Sequence, residues 1–515
     1  MSQTWNEGYF TDVGYTYGYY RDINPVFQRF CLHLRGWAAP APAPDSAHCE
    51  LGYGQGVSVN VHAAATPGLY VGTDFNPAHA AHAQGLAQAA GSGARLLDDS
   101  FEQLLARADL PQFDSISVHG IWTWVSRGNQ AVIAEFARRH LKPGGVFYLS
   151  YNCFPGWAPA YPLRQMFALH DRFASTASDA VARVDAALKF SEALLAAQPN
   201  YLRAMPGLPE RLKAIAGQDR HYLAHEYFNR EWNCMYFTDV VDALDGAKLD
   251  FACTAVPLDA VDAVNLSAQA QGFLAGIEHP LLREQARDYF VNQQFRKDLY
   301  LRGAVRLSAA EQRQRLLDTR FALLQPPGAV ELKVQGAAGE ATLSEAAYRP
   351  LLHALAERQY APQTLRELAA RLPQQPLAQL VQALAVLVAK SALAPCQDEA
   401  QARLVQRRCA ALNQHLCARA MAGGPAVDTL ASPALGGGVG VSRFHQMFLH
   451  ARAQGRKTPP EWARHAWDGL SAQGQRLVRE GRTLDSAEDN LARLQQLAQQ
   501  FADETLPILK ALQVA

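Results

Sequence analysis

Between residues 25 and 155 strand and helix signals alternate without a break, and the first strand runs straight into Gly52-Tyr53-Gly54-Gln55-Gly56. Strands are expected at 48–51, 69–73, 94–97, 113–118 and 146–151, with helices at 22–37, 57–65, 77–90, 100–107 and 129–140. Strands that take turns with helices pair in parallel, because each helical crossover returns the chain to the same end of the sheet. The expected fold class is therefore α/β, a doubly wound sheet. From 154 to about 232 helical periodicity replaces strand signals, at 163–173, 180–197 and 208–216. Alternation then resumes, with a helix at 236–244 and strands at 248–256 and 296–303. This reads as a core over 1–153, a helical insertion or lid over 154–235, and the end of the same sheet over 236–305. Beyond it, helices at 344–359, 364–371 and 377–390 suggest a winged-helix-like module over 306–400. The third of these helices is poor in cations for a DNA reader, so protein docking or a homodimer contact is the expected use. A mainly helical C-terminal domain, broken by the glycine run 436–438, fills 401–515.

Composition removes several classes. The 515 residues carry a formal net charge of +0, so no electrostatic bias toward nucleic acid is expected. No run of 18 apolar residues occurs; the nearest, 377–393, is broken by Gln379, Gln382 and Lys390. The first 20 residues lack the basic and apolar regions of a secretory signal. None of the eight cysteines forms a C-x-x-C pair, which speaks against zinc and disulfide frameworks. The expectation is a soluble cytoplasmic protein. His221 and His225, four apart beside Glu226, have no third ligand nearby, and no metal site is expected.

The glycine loop carries the chemistry. Glycine lets a chain turn tightly and brings its backbone close to a ligand. Dinucleotide-binding folds use G-x-G-x-x-G here, but Val57 stands at the last glycine position and the third glycine comes one residue early. Glu50 precedes the loop, and a carboxylate suits a ligand with an ammonium group rather than a pyrophosphate. Asp74 closes the second strand, at the offset where an acid meets ribose hydroxyls. The third strand ends in Asp98-Asp99-Ser100-Phe101, an acid for an adenine amine and an aromatic ring to cover it. Three acids ending three successive strands beside a glycine loop point to S-adenosylmethionine in a Rossmann-like core.

The segments ELGYGQG, GTDFNP, DDSF, HGIWTW and LKPGGVFYLSYN resemble the ordered motifs of class I S-adenosylmethionine-dependent methyltransferases. GYTYGYY, SYNCFPGW, HEYFNREWNCMYF and NQQFRKDLYLRG resemble, more narrowly, bacterial methyltransferases with a methyltransferase regulatory domain, among them the lysine methyltransferases of rickettsial outer-membrane proteins. The resemblance implies that Glu50, Gly52, Tyr53, Gly54, Gln55 and Gly56 hold the methionine end of the cofactor. It implies ribose contacts from Asp74, Phe75 and Asn76, and adenine contacts from Asp99 (or Asp98), Ser100 and Phe101. At the fourth strand the chain has His119-Gly120-Ile121-Trp122 in place of the D/N-P-P-Y of many amino-group methyltransferases.

Methyl transfer from a sulfonium needs alignment and exclusion of water more than an activated electrophile. Candidates sit where strands four and five end: His119, also expected beside the cofactor, with Trp122, Tyr151 and Asn152. Tyr15, Tyr17, Tyr19 and Tyr20 are expected to form an aromatic flap, with Tyr17 and Tyr20 at the reacting groups. Tyr222, His225, Glu226 and Tyr227, within 222–228 of the insertion, are expected to wall the acceptor pocket. The acceptor this implies is a protein side chain, with lysine first. A small-molecule or lipid O- or N-methyltransferase and a silent S-adenosylmethionine-binding regulator are the alternatives.

Overall fold

The computed structural model describes residues 16–176, 179–227, 229 and 231–515, with the backbone alone at 180, 221, 222 and 225. Seven strands form one sheet: β1 (Ala47–Leu51), β2 (Leu69–Thr73), β3 (Arg95–Leu97), β4 (Phe113–Val118), β5 (Leu141–Asn152), β6 (Leu249–Thr254) and β7 (Phe295–Arg302). Their spatial order is β3-β2-β1-β4-β5-β7-β6. β1 pairs in parallel with β2 and with β4, placing His48 opposite both Tyr70 and Ser115. β7 runs antiparallel between β5 and β6. From β1 the chain winds first toward β3 and then, from β4, the other way. The crevice at the carboxyl ends of β1 and β4 is thus the switch point at which such sheets bind ligands.

The helices start and stop where the sequence requires. α1 (Pro25–Leu34) opens on Asn24, whose side chain accepts from the Val26 and Phe27 amides. α2 (Val57–Ala65) begins at left-handed Gly56. α3 (Pro77–Ala90) is capped by Asn76 and stopped by left-handed Gly91. α4 (Phe101–Ala106) carries a Ser100–Gln103 capping box, and α5 (Arg127–His140) is capped by Ser126. All nine residues of α2 are buried. Such a helix must be covered on two sides. The sheet covers one, and the helix Glu399–Met421 of the C-terminal domain covers the other, with Leu412 and Leu416 in one core with Val57, Val61 and Leu86.

Between β5 and β6 the described residues carry the helices Tyr161–Phe173, Ala180–Ala196, Asn200–Ala204, Leu208–Ala216 and Arg220–Tyr227, around a core that includes Trp157, Leu163, Phe167 and Trp232. Between β6 and β7 the chain adds helices Ala268–Ala275 and Pro280–Val291, which strand alternation does not reveal. The three expected helices after 306 form at Glu345–Ala356, Leu365–Arg371 and Leu377–Ala389, with both bonds of the Thr364–Glu367 capping box in place. Gln363–Thr364, before the second helix, and Leu393–Cys396, after the third, both pair with Arg320–Leu323, which precedes all three helices. The glycine run lies in a hairpin, Thr429–Ser432 with Gly437–Gly440, where the Tyr19 hydroxyl accepts from the Gly438 amide. Among the described residues no helix is long and apolar enough to cross a membrane.

Candidate active site

A cavity opens at the carboxyl ends of β1 and β4. The glycine loop builds one side. Gly52, Gly54 and Gly56 all take positive φ (73°, 56° and 73°), which glycine alone adopts without strain. Gly54 donates its amide to Asp74 Oδ2 at 2.8 Å, and Asn76 donates to Asp74 Oδ1 at 3.1 Å. His79 Nδ1 lies 3.0 Å from the same oxygen, so Asp74 ties the loop to α3. Glu50, Gly52, Tyr53, Gly54, Gln55, Asp74, Phe75, Asn76, Asp99, Ser100, Phe101 and His119 line this one cavity. Asp99 faces it, while neighbouring Asp98 is exposed. Gly56 does not line the cavity: it brings the start of α2 against Ala83, whose Cα would lie 3.1 Å from an added Cβ.

The electrostatics select for cations. Glu50, Asp74, Asp99 and Glu231 face the space, and no lysine or arginine does so among the described residues. Glu50 is 7 % exposed. Burial, followed by the charge of Asp74, pushes its carboxyl up to about 8, so it is short of a cationic partner. His119 is brought down to about 4 by burial and is neutral near pH 7. Its Nδ1 lies 2.9 Å from the Tyr148 hydroxyl, and its ring lies 4.0 Å from that of Tyr20.

Several expected acceptor residues lie elsewhere. Trp122 is fully buried in the core under the sheet, and Trp124 takes the place at the cavity. The cause is the 3-10 turn Trp122–Trp124. Three residues per turn align Ile121 with Trp124, and both line the cavity. Tyr151 is off by one strand position. Tyr148 and Ser150 share the face that holds His119, whereas Tyr151 points to the opposite face and donates to Asp298 Oδ2 at 2.7 Å. The Asn152 side chain accepts from Trp157 Nε1 at 3.1 Å and so anchors the insertion. The N-terminal arm alternates in the same way. Thr16, Gly18 and Tyr20 face the cavity, while Tyr17 packs edge-on to His82 and Tyr19 reaches the C-terminal hairpin. Tyr15 and the side chains of Tyr222 and His225 lie outside the described residues. Neither Glu226 nor Tyr227 lines the cavity; Tyr227 packs on Phe167 at 5.4 Å within the insertion's core. The insertion instead contributes Glu231, next to Trp232, whose ring is 6.3 Å from that of Trp124. Val125, Ser126 and Asn129 complete this wall. The sequence carries a signal for it in HGIWTW, once the turn is read with a period of three.

A doubly wound sheet with an antiparallel β7 between β5 and β6, and an acidic glycine-loop cavity at its switch point, defines a class I methyltransferase. Family models agree. Residues 49–145 match "Methyltransferase domain" and residues 219–302 match "Predicted methyltransferase regulatory domain". The chain is 37% identical over 516 residues to uncharacterized protein sll1526 of Synechocystis sp., covering 99% of this chain and 100% of that one. It is 24% identical over 309 residues to uncharacterized protein RP789 of Rickettsia prowazekii, covering 58% of this chain and 53% of that one. The fold matches the solved structure of PKMT2 from Rickettsia typhi in complex with AdoHcy, with a TM-score of 0.69 at 18% identity, over 98% of this chain and 100% of that one. The chain belongs to the class I S-adenosylmethionine-dependent methyltransferases that carry a regulatory domain.

Proposed function

We propose that the enzyme methylates a protein side-chain amine, lysine first, in the cavity between the glycine loop and Trp124. The observation that carries this reading is that one cavity, lined by Glu50, Asp74, Asp99 and Glu231, joins the cofactor residues to the rings of Tyr20 and Trp124. The residues fit the cofactor. The underpartnered Glu50 carboxylate suits an ammonium, the glycine loop gives a backbone close approach, and Asp74 and Asp99 offer acceptors for ribose and adenine. Bound S-adenosylmethionine supplies an already activated methyl group.

The chain's own task is to bring in the acceptor and keep water out. Glu231 adds a carboxylate to the cavity lining. The faces of Tyr20 and Trp124 favour an ammonium by about 0.5–2 kcal/mol each. Exclusion of water works the other way: desolvation lowers the amine's pKa and helps it to shed the proton that blocks its lone pair. Neutral His119, fixed by Tyr148 and Ser150, adds no positive charge to a site that must hold two cationic groups. The R. typhi protein named PKMT2 and the rickettsial resemblance support a protein acceptor. Incubating the enzyme with a methyl-tritiated donor and a bacterial lysate, then hydrolysing the protein fraction, tests this. Label is expected in methylated lysine. Label confined to small molecules or lipids, or none at all, would overturn it.

A further inference from the structure

We infer that His82 is a positioning residue through which the C-terminal domain holds the glycine-rich cofactor loop in its binding conformation. It lies on α3 and touches loop, N-terminal arm and C-terminal domain at once. Its Nδ1 is 2.7 Å from the Gln55 carbonyl oxygen. Its Nε2 is 2.8 Å from a guanidinium nitrogen of Arg419, on the helix Glu399–Met421. The Tyr17 ring packs edge-on to the imidazole at 5.1 Å.

The chemistry of the two neighbours fixes the state of the ring. A carbonyl only accepts, so Nδ1 carries the hydrogen. A guanidinium only donates, so Nε2 is bare. Both contacts form only with the neutral Nδ1–H tautomer. A second proton leaves the Gln55 bond intact but sets an imidazolium against Arg419. The charged and titratable groups facing His82 are Arg419 and His415 from the C-terminal helix, His79 from its own helix and Tyr17 from the arm. Burial and the cation of Arg419 hold the ring below its usual range, while the Gln55 bond opposes them.

The position matters because Gln55 lies between two left-handed glycines. Peptide planes flanked by glycine rotate easily. On one side the Gly54 amide is fixed by Asp74. On the other the Gln55 carbonyl is fixed by His82, and Gln55 lines the cofactor cavity. The C-terminal domain thus reaches the loop through the His82 ring.

This inference rests on the loop being the cofactor site, so the first measurement is S-adenosylhomocysteine binding to the full-length wild type by calorimetry; no binding there would refute the site itself. His82→Ala and Arg419→Met are expected to weaken binding roughly five- to tenfold, the loss of about one hydrogen bond. His82→Gln keeps a donor and an acceptor without a titrating ring, and is expected to restore most of the affinity. Wild-type affinity should fall as the pH drops below the usual imidazole range, where the ring takes up its second proton. That fall should be shallower in both His82→Gln and Arg419→Met. A melting scan of each variant separates loop misplacement from unfolding. Wild-type binding that is matched by His82→Ala and Arg419→Met in both affinity and pH profile would overturn the proposal.

Discussion

At the residue scale, Glu50 and Asp74 make separable contributions. Glu50 titrates near 8 in the folded chain because burial and Asp74 disfavour its charge. Between about pH 5 and 8 the native state keeps a proton that the unfolded chain has released, so this group makes unliganded stability fall as pH rises. Glu50→Gln removes that fall, and its melting temperature relative to wild type is expected to climb from pH 5 to 8. Ligand binding has the opposite sign, because an ammonium needs the ionised carboxylate. Wild-type affinity for S-adenosylhomocysteine is expected to rise across about pH 6 to 8 and to stay flat in Glu50→Gln. A flat wild-type curve would contradict an ammonium at Glu50. Asp74 already accepts two amides, so Asp74→Asn is the informative change. It keeps one acceptor but loses the charge that strengthens ribose bonds. Weakening of about tenfold or more by calorimetry is expected, as for loss of a charged hydrogen bond.

At the element scale, the 3-10 turn after β4 divides two tryptophans two residues apart. Trp124→Ala removes a ring from the cavity wall proposed for the acceptor. Turnover is expected to drop roughly tenfold while S-adenosylhomocysteine affinity stays within about threefold. Trp122→Ala removes a fully buried ring from the core. It is expected to cost about 3–5 kcal/mol of stability in denaturant titration, with little change in the acceptor constant of whatever protein remains folded. The reverse pattern would return Trp122 to the site. The same pair shows where the sequence is legible. The loop and the strand-end acids are local, and they were readable because each follows from a few adjacent residues. Tyr151 and Trp122 were misplaced because face and turn period depend on pairing and packing that single residues do not encode.

At the scale of the whole molecule, the cofactor core and the C-terminal domain share one apolar interior through α2. Leu412, 1 % exposed, sits in that shared core. Leu412→Ala is expected to cost about 2–5 kcal/mol, and to lower the melting temperature of the cofactor domain along with that of its neighbour. S-adenosylhomocysteine should raise both in a single transition. Two separate transitions, with the ligand moving only one of them, would show that the domains fold independently.

The sequence by itself determined the five alternating strands of a doubly wound sheet, the glycine loop, the strand-end carboxylates and so the cofactor class. Those features are written in neighbouring residues, and the alternation of strands and helices permits few other topologies. Only the tertiary structure decided which aromatic side chains face the acceptor, that Glu231 arrives from the insertion, and that Arg419 reaches the loop through His82. These groups are far apart in the chain, and what brings them together is the burial of α2 from both sides and the register of β5. Neither leaves a mark in any short stretch of sequence.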